Sequence, residues 1–342
     1  MKIAIVGVTG LVGNKITWLL EKRNIPIEDF IPIASKESLG KGCLYKSKSI
    51  PIIDMELFME KYIYHQHSLV IFFTSTAEIS KTWIPKILKI NKNAFIIDNS
   101  SYFRLHENIP LVIPEINADK IMTDTRLISN PNCSTAQLVM VLYPLHLLYK
   151  IKRVVVSTYQ SVSGAGYRGE QQLEYERKSG SRKNIVESTG LESVFGTRID
   201  LNCIPLCDKL DLRTGYTGEE IKLERETPKI LDCDVKVTAT AVRVPVFGGH
   251  SESVNIEFYN NPDISNIENL LNNTKGIKVK EIPCPFDVEQ DEDVWVGRIR
   301  KDFSQDNTIN LWIVADNLMK GAALNAVQIL EYLINKNYVS LD

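Results

Sequence analysis

Three groups of residues in this chain of 342 have types and spacings that could do chemistry. The first is a single thiol, Cys133, in Leu127-Ile-Ser-Asn-Pro-Asn-Cys-Ser-Thr-Ala-Gln-Leu138. Proline lacks an amide hydrogen and biases its predecessor toward extended geometry, so Asn130-Pro131-Asn132 ends the preceding apolar run and puts Cys133 on a turn. From Ser134 to Tyr149 the side chains Leu138, Val141, Leu142, Leu145 and Leu148 recur at helical spacing, which sets Cys133 within the first turn of a helix. The helix dipole and unpaired amides there favour a thiolate, and the same amides can receive an oxyanion, with Asn132 as a further donor. A lone cysteine is otherwise a small buried hydrophobe, but a core residue has no need of a strand-turn-helix elbow.

The second group surrounds His250 in Arg243-Val-Pro-Val-Phe-Gly-Gly-His-Ser-Glu252. A histidine after two glycines at the end of a strand is expected on a turn rather than in the core, where it can take and return a proton. The third is Gly7-Val-Thr-Gly-Leu-Val-Gly13, directly after the apolar Lys2 to Val6 and opening the amphipathic Leu11 to Lys22. Glycines in that place let the backbone approach a pyrophosphate held at a helix N-terminus. The spacing departs from the commoner G-x-G-x-x-G, but the strand before it and the helix after it supply the context that the motif requires. A thiol acting beside a nicotinamide does acyl transfer followed by hydride transfer: the thiolate takes an acyl group from an activated carboxylate, and hydride reduces the thioester.

The elements that must position these groups follow from the pattern. Strands are expected at Phe30 to Ala34, Leu69 to Thr74 and Ala94 to Asp98, with a helix over Ala77 to Ile90; strand-helix alternation gives a parallel sheet. An acid at the end of the second strand would grip the ribose of NAD, whereas Ser35-Lys36-Glu37-Ser38 offers hydroxyls and a cation that suit the extra phosphate of NADP; Glu37 keeps NAD open. Beyond the Cys133 helix the strands Lys152 to Gln160, Val235 to Val246, Ser253 to Tyr259, Val294 to Arg300 and Thr308 to Ala315 predict a second, mixed or antiparallel sheet, with helices over Gly169 to Lys178 and Glu219 to Leu231. One closing helix, Met319 to Lys336, opens with small residues that permit close packing and is expected to return to the first domain. The formal net charge of -2 gives no support for nucleic-acid or membrane-surface binding, and no apolar run approaches the roughly 20 residues of a membrane span. Six scattered cysteines in a chain this long read as reduced thiols of a cytoplasmic protein; Cys203 and Cys207 have no second Cys/His pair at ligand spacing, so no metal is expected.

Taken together the residues resemble the aspartate-semialdehyde dehydrogenase family nearly end to end. The resemblance is carried by Gly7 to Gly13, Asp98-Asn-Ser-Ser101 with Arg104, Val112-Ile-Pro-Glu-Ile-Asn117, Ser129 to Ser134, Gln160-Ser-Val-Ser-Gly-Ala-Gly166, Glu219-Glu-Ile-Lys222, Arg243 to Glu252, and Asp316-Asn-Leu-Met-Lys-Gly-Ala-Ala-Leu-Asn325. It departs at Val8, where the family often has alanine, and at Lys36, where arginine is frequent. It implies an α/β chain with a Rossmann-type parallel-sheet nucleotide-binding domain over 1–130 plus 317–342, and an α+β catalytic and dimerisation domain with a mixed sheet over 131–316. It also implies NADPH-dependent reductive dephosphorylation of L-aspartyl 4-phosphate, in the pathway to lysine, threonine and methionine, by a homodimer or homotetramer with inorganic phosphate as co-product. Carried over residue by residue, Cys133 is the nucleophile with Asn132 beside it, Gln160 orients the acyl intermediate, and His250 is the general acid/base. Arg104 and Lys222 would bind phosphate, and Glu219 and Arg243 the amino and carboxylate groups. The cofactor would meet Gly7, Thr9, Gly10, Leu11, Val12, Gly13, Ser35, Lys36, Ser38, Ser75, Thr76, Ser163, Gly164 and Asn317.

The physical types agree with these jobs, because an arginine fork matches a carboxylate or phosphate bidentately and Glu219 with Lys222 at i,i+3 share one helix face. Related reductases of N-acetyl-glutamyl phosphate or malonyl-CoA share the cysteine-histidine logic, and a silent paralogue could keep the fold. Glu219 with Arg243 favours aspartyl phosphate, and an idle site has no use for Cys133, Gln160, Arg243 and His250 together.

Overall fold

A computed structural model describes residues 1–64, 68–180 and 193–340, and the chain forms two compact units, Met1–Pro131 with Ala322–Asp342, and Asn132–Gly321. The first unit contains β1 (Lys2–Val6), α1 (Leu11–Lys22), β2 (Asp29–Ile33), a hairpin of β3 (Gly42–Tyr45) and β4 (Lys48–Pro51), α2 (Met55–Lys61), β5 (Leu69–Phe73), α3 (Ala77–Ile90), β6 (Phe95–Asp98), α4 (Pro114–Asn117) and β7 (Leu127–Ser129). Its sheet has the order β2-β1-β5-β6-β7 with every pair parallel. Strands such as Leu69-Val-Ile-Phe-Phe73 are buried on both faces, as helices on either side of a parallel sheet require. From β1 the chain passes to β2 on one side, and later to β5 on the other. The carboxyl ends of β1 and β5, with Val6 opposite Phe73, therefore flank a topological switch point, where α/β sheets bind ligands.

The second unit contains α5 (Cys133–Tyr149), β8 (Ile151–Gln160), α6 (Tyr167–Ser179), α7 (Gly218–Leu231), β9 (Lys236–Arg243), β10 (His250–Phe258), α8 (Ile264–Asn272), β11 (Ile277–Val279), β12 (Val294–Lys301) and β13 (Thr308–Ala315). Its six-stranded sheet runs β11-β12-β13-β10-β8-β9, antiparallel at the centre with a parallel pair at each edge. Helix α5 is apolar almost all round, the mark of a core helix rather than a surface one, and packs on β8, β10, β12 and β13.

Two expectations change. The single closing helix is instead a π-helical turn, Met319–Ala323, followed by α9 (Leu324–Asn335); the small residues Gly321, Ala322 and Ala323 let the backbone widen there. α9 does belong to the first unit, where it packs on α1 and Glu331 receives Arg23 at 2.8 Å. The strand expected from Ser253 begins three residues earlier, because His250 already pairs with Ala315 of β13.

Candidate active site

In the first unit, Gly7 adopts φ +88°, a conformation that disfavours side chains, and a Cβ on Gly13 would lie 2.4 Å from the Gly7 carbonyl oxygen. The loop therefore folds tightly onto the start of α1, whose cap, Gly10, has no side chain to occupy the first-turn amides. A cavity of about 430 Å³ opens beside it, lined by Gly7, Thr9, Gly10, Ser35, Lys36 and Ser75 among others. Among the lining residues sequence reasoning did not single out are Asp54, Glu56 and the apolar Met55, Ile79 and Trp83. They come from the segment after the β3-β4 hairpin and from α3, and nothing in local sequence places them beside the glycine loop. The Lys36 ammonium lies 3.9 Å from Glu56, so the cation expected to meet a 2′-phosphate has a carboxylate neighbour. Leu11, Val12 and Gly13 lie in the first turn of α1, Ser38 closes the turn after Ser35, and Thr76 caps α3; none of these five lines the cavity. These residues fit a dinucleotide: a backbone cradle for pyrophosphate, polar groups at the end of β2 for the ribose, and an apolar wall for a base.

Arg104 also belongs to the first unit, buried beside Asp98 and donating through Nη2 to the Asn99 carbonyl at 2.7 Å. Asn130, just ahead of the cysteine, is held by α9: Asn325 donates through Nδ2 to Asn130 Oδ1 at 2.7 Å and to the Val112 carbonyl at 2.8 Å.

The second unit carries the thiol. Asn132 caps α5, its Oδ1 accepting from the amides of Ser134 and Thr135 at 3.0 and 3.2 Å, so Cys133 is the first helical residue. The cap is itself fixed from α7: its amide donates to Glu226 Oε2 at 2.7 Å and its Nδ2 to Glu219 Oε1 at 2.8 Å. Gln160, at the end of β8, donates to Ser134 Oγ at 2.6 Å and to Glu219 Oε1 at 3.1 Å. Lys222 bridges Glu219 at 3.0 Å and Asp208 at 2.8 Å. Burial alone would raise the Glu219 carboxyl, but the Lys222 ammonium and the hydrogen bonds from Asn132, Lys222 and Gln160 hold it at about 2. Burial opposes the charge on Lys222, yet Glu219 and Asp208 raise its pKa.

His250 corrects a further expectation: it opens β10 and is fully buried, because Gly248 and Gly249 turn the chain into the sheet before the histidine rather than after it. Its Nδ1 accepts from the Ser161 amide at 3.1 Å, so the proton of the neutral ring is on Nε2. Burial and the nearby Arg243 guanidinium lower its pKa to about 3, keeping the ring neutral at ordinary pH. Nε2 points to Gly164, where a Cβ would lie 3.2 Å from it and 2.8 Å from Arg243 Nη1. Arg243 is anchored by Nη1 to the Ser161 carbonyl at 2.6 Å, and its Nε has no hydrogen-bond partner among the described residues. Asn317 accepts at Oδ1 from Ser161 Oγ, Ser163 Oγ and the Gly249 amide at 3.1–3.2 Å, which joins these residues to the support of His250. Gln137, one turn along α5 from Cys133, donates to the His250 carbonyl at 3.3 Å, tying the thiol's helix to the histidine's strand. A Cβ on Gly321 would lie 2.7 Å from Cys133 Cβ.

The structure thus brings together Asn132, Gln160, Glu219 and Lys222 in one hydrogen-bonded set, and Gly164, Arg243 and His250 in another. Sequence reasoning missed Ser161, Asp208, Glu226 and the steric role of Gly321. Only Ser161 and Gly321 lay inside motifs already singled out. Among the described residues no helix is long and apolar enough to cross a membrane.

A parallel-sheet unit with a glycine cradle, joined to a mixed-sheet unit with a cysteine at a helix start, defines a nicotinamide-dinucleotide-dependent dehydrogenase. Residues 2–123 match the NAD binding domain of semialdehyde dehydrogenase, and residues 142–320 match its dimerisation domain. The chain is 42% identical to aspartate-semialdehyde dehydrogenase of Rickettsia bellii, with 98% of each chain covered, and 38% identical to that of Bacillus subtilis, with 99% of each covered. A crystal structure of aspartate semialdehyde dehydrogenase II from Vibrio cholerae, complexed with ASA, superposes with a TM-score of 0.89 at 36% identity over 98% of both chains. This chain belongs to the aspartate-semialdehyde dehydrogenase family.

Proposed function

We propose that the protein catalyses NADPH-dependent reductive dephosphorylation of L-aspartyl 4-phosphate to L-aspartate 4-semialdehyde through a thioester on Cys133. The observation that carries this reading is the capped start of α5, tied through Gln137 to the strand of a buried His250 whose free ring proton is on Nε2. The thiolate adds to the acyl carbon, a C–S bond forms, the C–O bond to phosphate breaks and phosphate leaves. The glycine loop from Gly7 to Gly13 and the end of β2 would hold a reduced nicotinamide dinucleotide, which would supply the hydride that reduces the thioester carbon. His250 donates a hydrogen bond from its Nε2–H to the oxygen that bears the developing charge, in either direction, and the proton stays on the ring, so the tetrahedral alkoxide can collapse without a proton to dispose of. The C–S bond then breaks, releasing aldehyde and thiolate.

Asn132 holds the first-turn geometry, Gln160 orients the acyl group, and Arg243 with its open Nε meets the substrate carboxylate. Glu219 receives the substrate ammonium, and Arg104 and Lys222 receive phosphate. Ser163, Gly164 and Asn317 complete the nicotinamide end of the cofactor site. NADP over NAD is favoured by Ser35, Lys36 and Ser38 at the end of β2. The functional division runs 1–130 plus 317–342 for the cofactor and 131–316 for catalysis and dimerisation, with a homodimer or homotetramer working in the cytoplasm.

The test follows turnover of semialdehyde, phosphate and NADP in the reverse direction. Phosphate is expected to be obligatory; Arg104→Leu raises its KM far more than that of the semialdehyde, and Arg243→Leu does the converse. Replacement of phosphate by coenzyme A, or two arginine variants with the same effect on both KM values, would overturn the assignment.

A further inference from the structure

Glu252 is among the fully buried ionisable groups that the mechanism above leaves without a role. Glu252 follows His250 by two residues on β10, so both side chains are on the same face of the strand. Its cross-strand neighbours are Thr158 of β8 and Ile313 of β13, and Gln137 of α5 faces it from above. Four polar atoms in this group have no hydrogen-bond partner among the described residues: Glu252 Oε1 and Oε2, Gln137 Oε1 and Thr158 Oγ1. Gln137 meanwhile donates to the His250 carbonyl at 3.3 Å.

We propose that Glu252 is a positioning residue of this reaction: with Gln137 and Thr158 it forms a buried clamp that sets the strand carrying His250 against the helix carrying Cys133. No cation on α5, β8, β13 or β10 faces the carboxyl, and burial raises its pKa well above the usual range, so Glu252 enters the clamp as the neutral acid. A neutral carboxyl, a primary amide and a hydroxyl each donate and accept, so small rotations of the three close a mutually satisfied set. Such a network beneath a reactive pair restricts geometry in a way an apolar side chain of equal volume does not, even where the apolar side chain would fit the core as well. The position of Gln137 gives the clamp its consequence, since the side chain that faces the carboxyl also donates to the backbone of the histidine. This rests on the proposed roles of Cys133 and His250.

The experiment uses the full-length enzyme with Glu252→Leu, which keeps the volume and removes the hydrogen bonds, and Glu252→Gln, which keeps a neutral donor and acceptor. For Glu252→Leu, kcat is expected to fall on the order of 10²-fold, the size of a roughly 1 Å misplacement. Its KM values for semialdehyde and phosphate should move by less than about 3-fold. The pH profile of Cys133 alkylation by iodoacetamide should shift with kcat, a readout that loss of folded protein alone would not move. Glu252→Gln should recover most of the loss. A folded Glu252→Leu with the parent's kcat and alkylation profile overturns the clamp, and so does a Glu252→Gln as impaired as Glu252→Leu, which would mean an ionised carboxylate is required. If Glu252→Leu does not fold, Thr158→Val decides: a kcat lowered about 10-fold at constant KM supports the clamp, and the parent's kcat refutes it. Turnover by Cys133→Ala would instead bring down the underlying mechanism, and alkylation at Cys133 with normal kinetics in the Glu252 variants brings down the clamp alone.

Discussion

Replacing Gly321 by alanine adds one methyl group directly against the nucleophile. The backbone of Gly321 is not in the positive-φ region, so the substitution is a test of space rather than of conformation. The new Cβ would lie 2.7 Å from Cys133 Cβ, 3.0 Å from its Cα and 3.2 Å from its carbonyl oxygen, where ordinary contact begins near 3.4 Å. Either the π-helical turn or the first turn of α5 must therefore yield by about 0.7 Å. The turn itself is buried, its Lys320 being 2% exposed, and the α5 start is confined by the Asn132 bonds to Glu219 and Glu226. Overpacking of this kind costs about 1–3 kcal/mol of stability. A displacement approaching 1 Å at the attacking atom lowers kcat on the order of 10²-fold. Stopped-flow turnover, a thermal melt and a titration of cofactor binding separate these effects. Loss of kcat is expected with a lowered Tm and a cofactor Kd within about 2-fold of the parent, because the glycine cradle is in the other unit. A Gly321→Ala enzyme with parental kcat and parental Tm would show that Cys133 is not confined there.

Two further outcomes follow from the site. The kcat/KM preference for NADP over NAD should shrink in Lys36→Ala and grow in Glu56→Gln, since Glu56 is the carboxylate beside that ammonium; equal use of both cofactors by the parent would remove Lys36 from the role. His250 is held neutral down to about 3, so below its ordinary pKa near 6.5 the unfolded chain binds a proton that the native one does not. Its contribution to stability is present above 6.5 and is lost as pH falls toward 3, at about 1.4 kcal/mol per pH unit. Glu252, raised in the fold, contributes the opposite slope above its ordinary value, so the comparison is between parent and His250→Asn, which share it. The parent should lose its advantage over the variant as pH falls through that window, while kcat of the variant is lower by about 10²–10⁴-fold. Parallel stability curves for the two proteins would refute the buried neutral histidine.

Much of this protein was legible from local sequence because the determining forces are local. Asn130-Pro131-Asn132 must break the chain, Asn132 is a good cap, and the apolar spacing after it makes a helix, so Cys133 had to open α5. Glycines between Val6 and Leu11 likewise dictate a tight strand-to-helix turn. Tertiary structure alone decided what surrounds those elements. His250 looked like a turn residue because the glycines before it are local, while its burial comes from pairing with Ala315, sixty-five positions away. The ring proton on Nε2 depends on the Ser161 amide, and the carboxylate charge on Glu219 depends on Lys222, Asn132 and Gln160 together. The widened turn at Met319–Ala323 has no periodicity of its own, since small residues allow it and packing against Cys133 selects it. Sequence determines which backbone conformations are open at each position; contacts between distant segments determine which side chains lose their water, and with it their protonation and their chemistry.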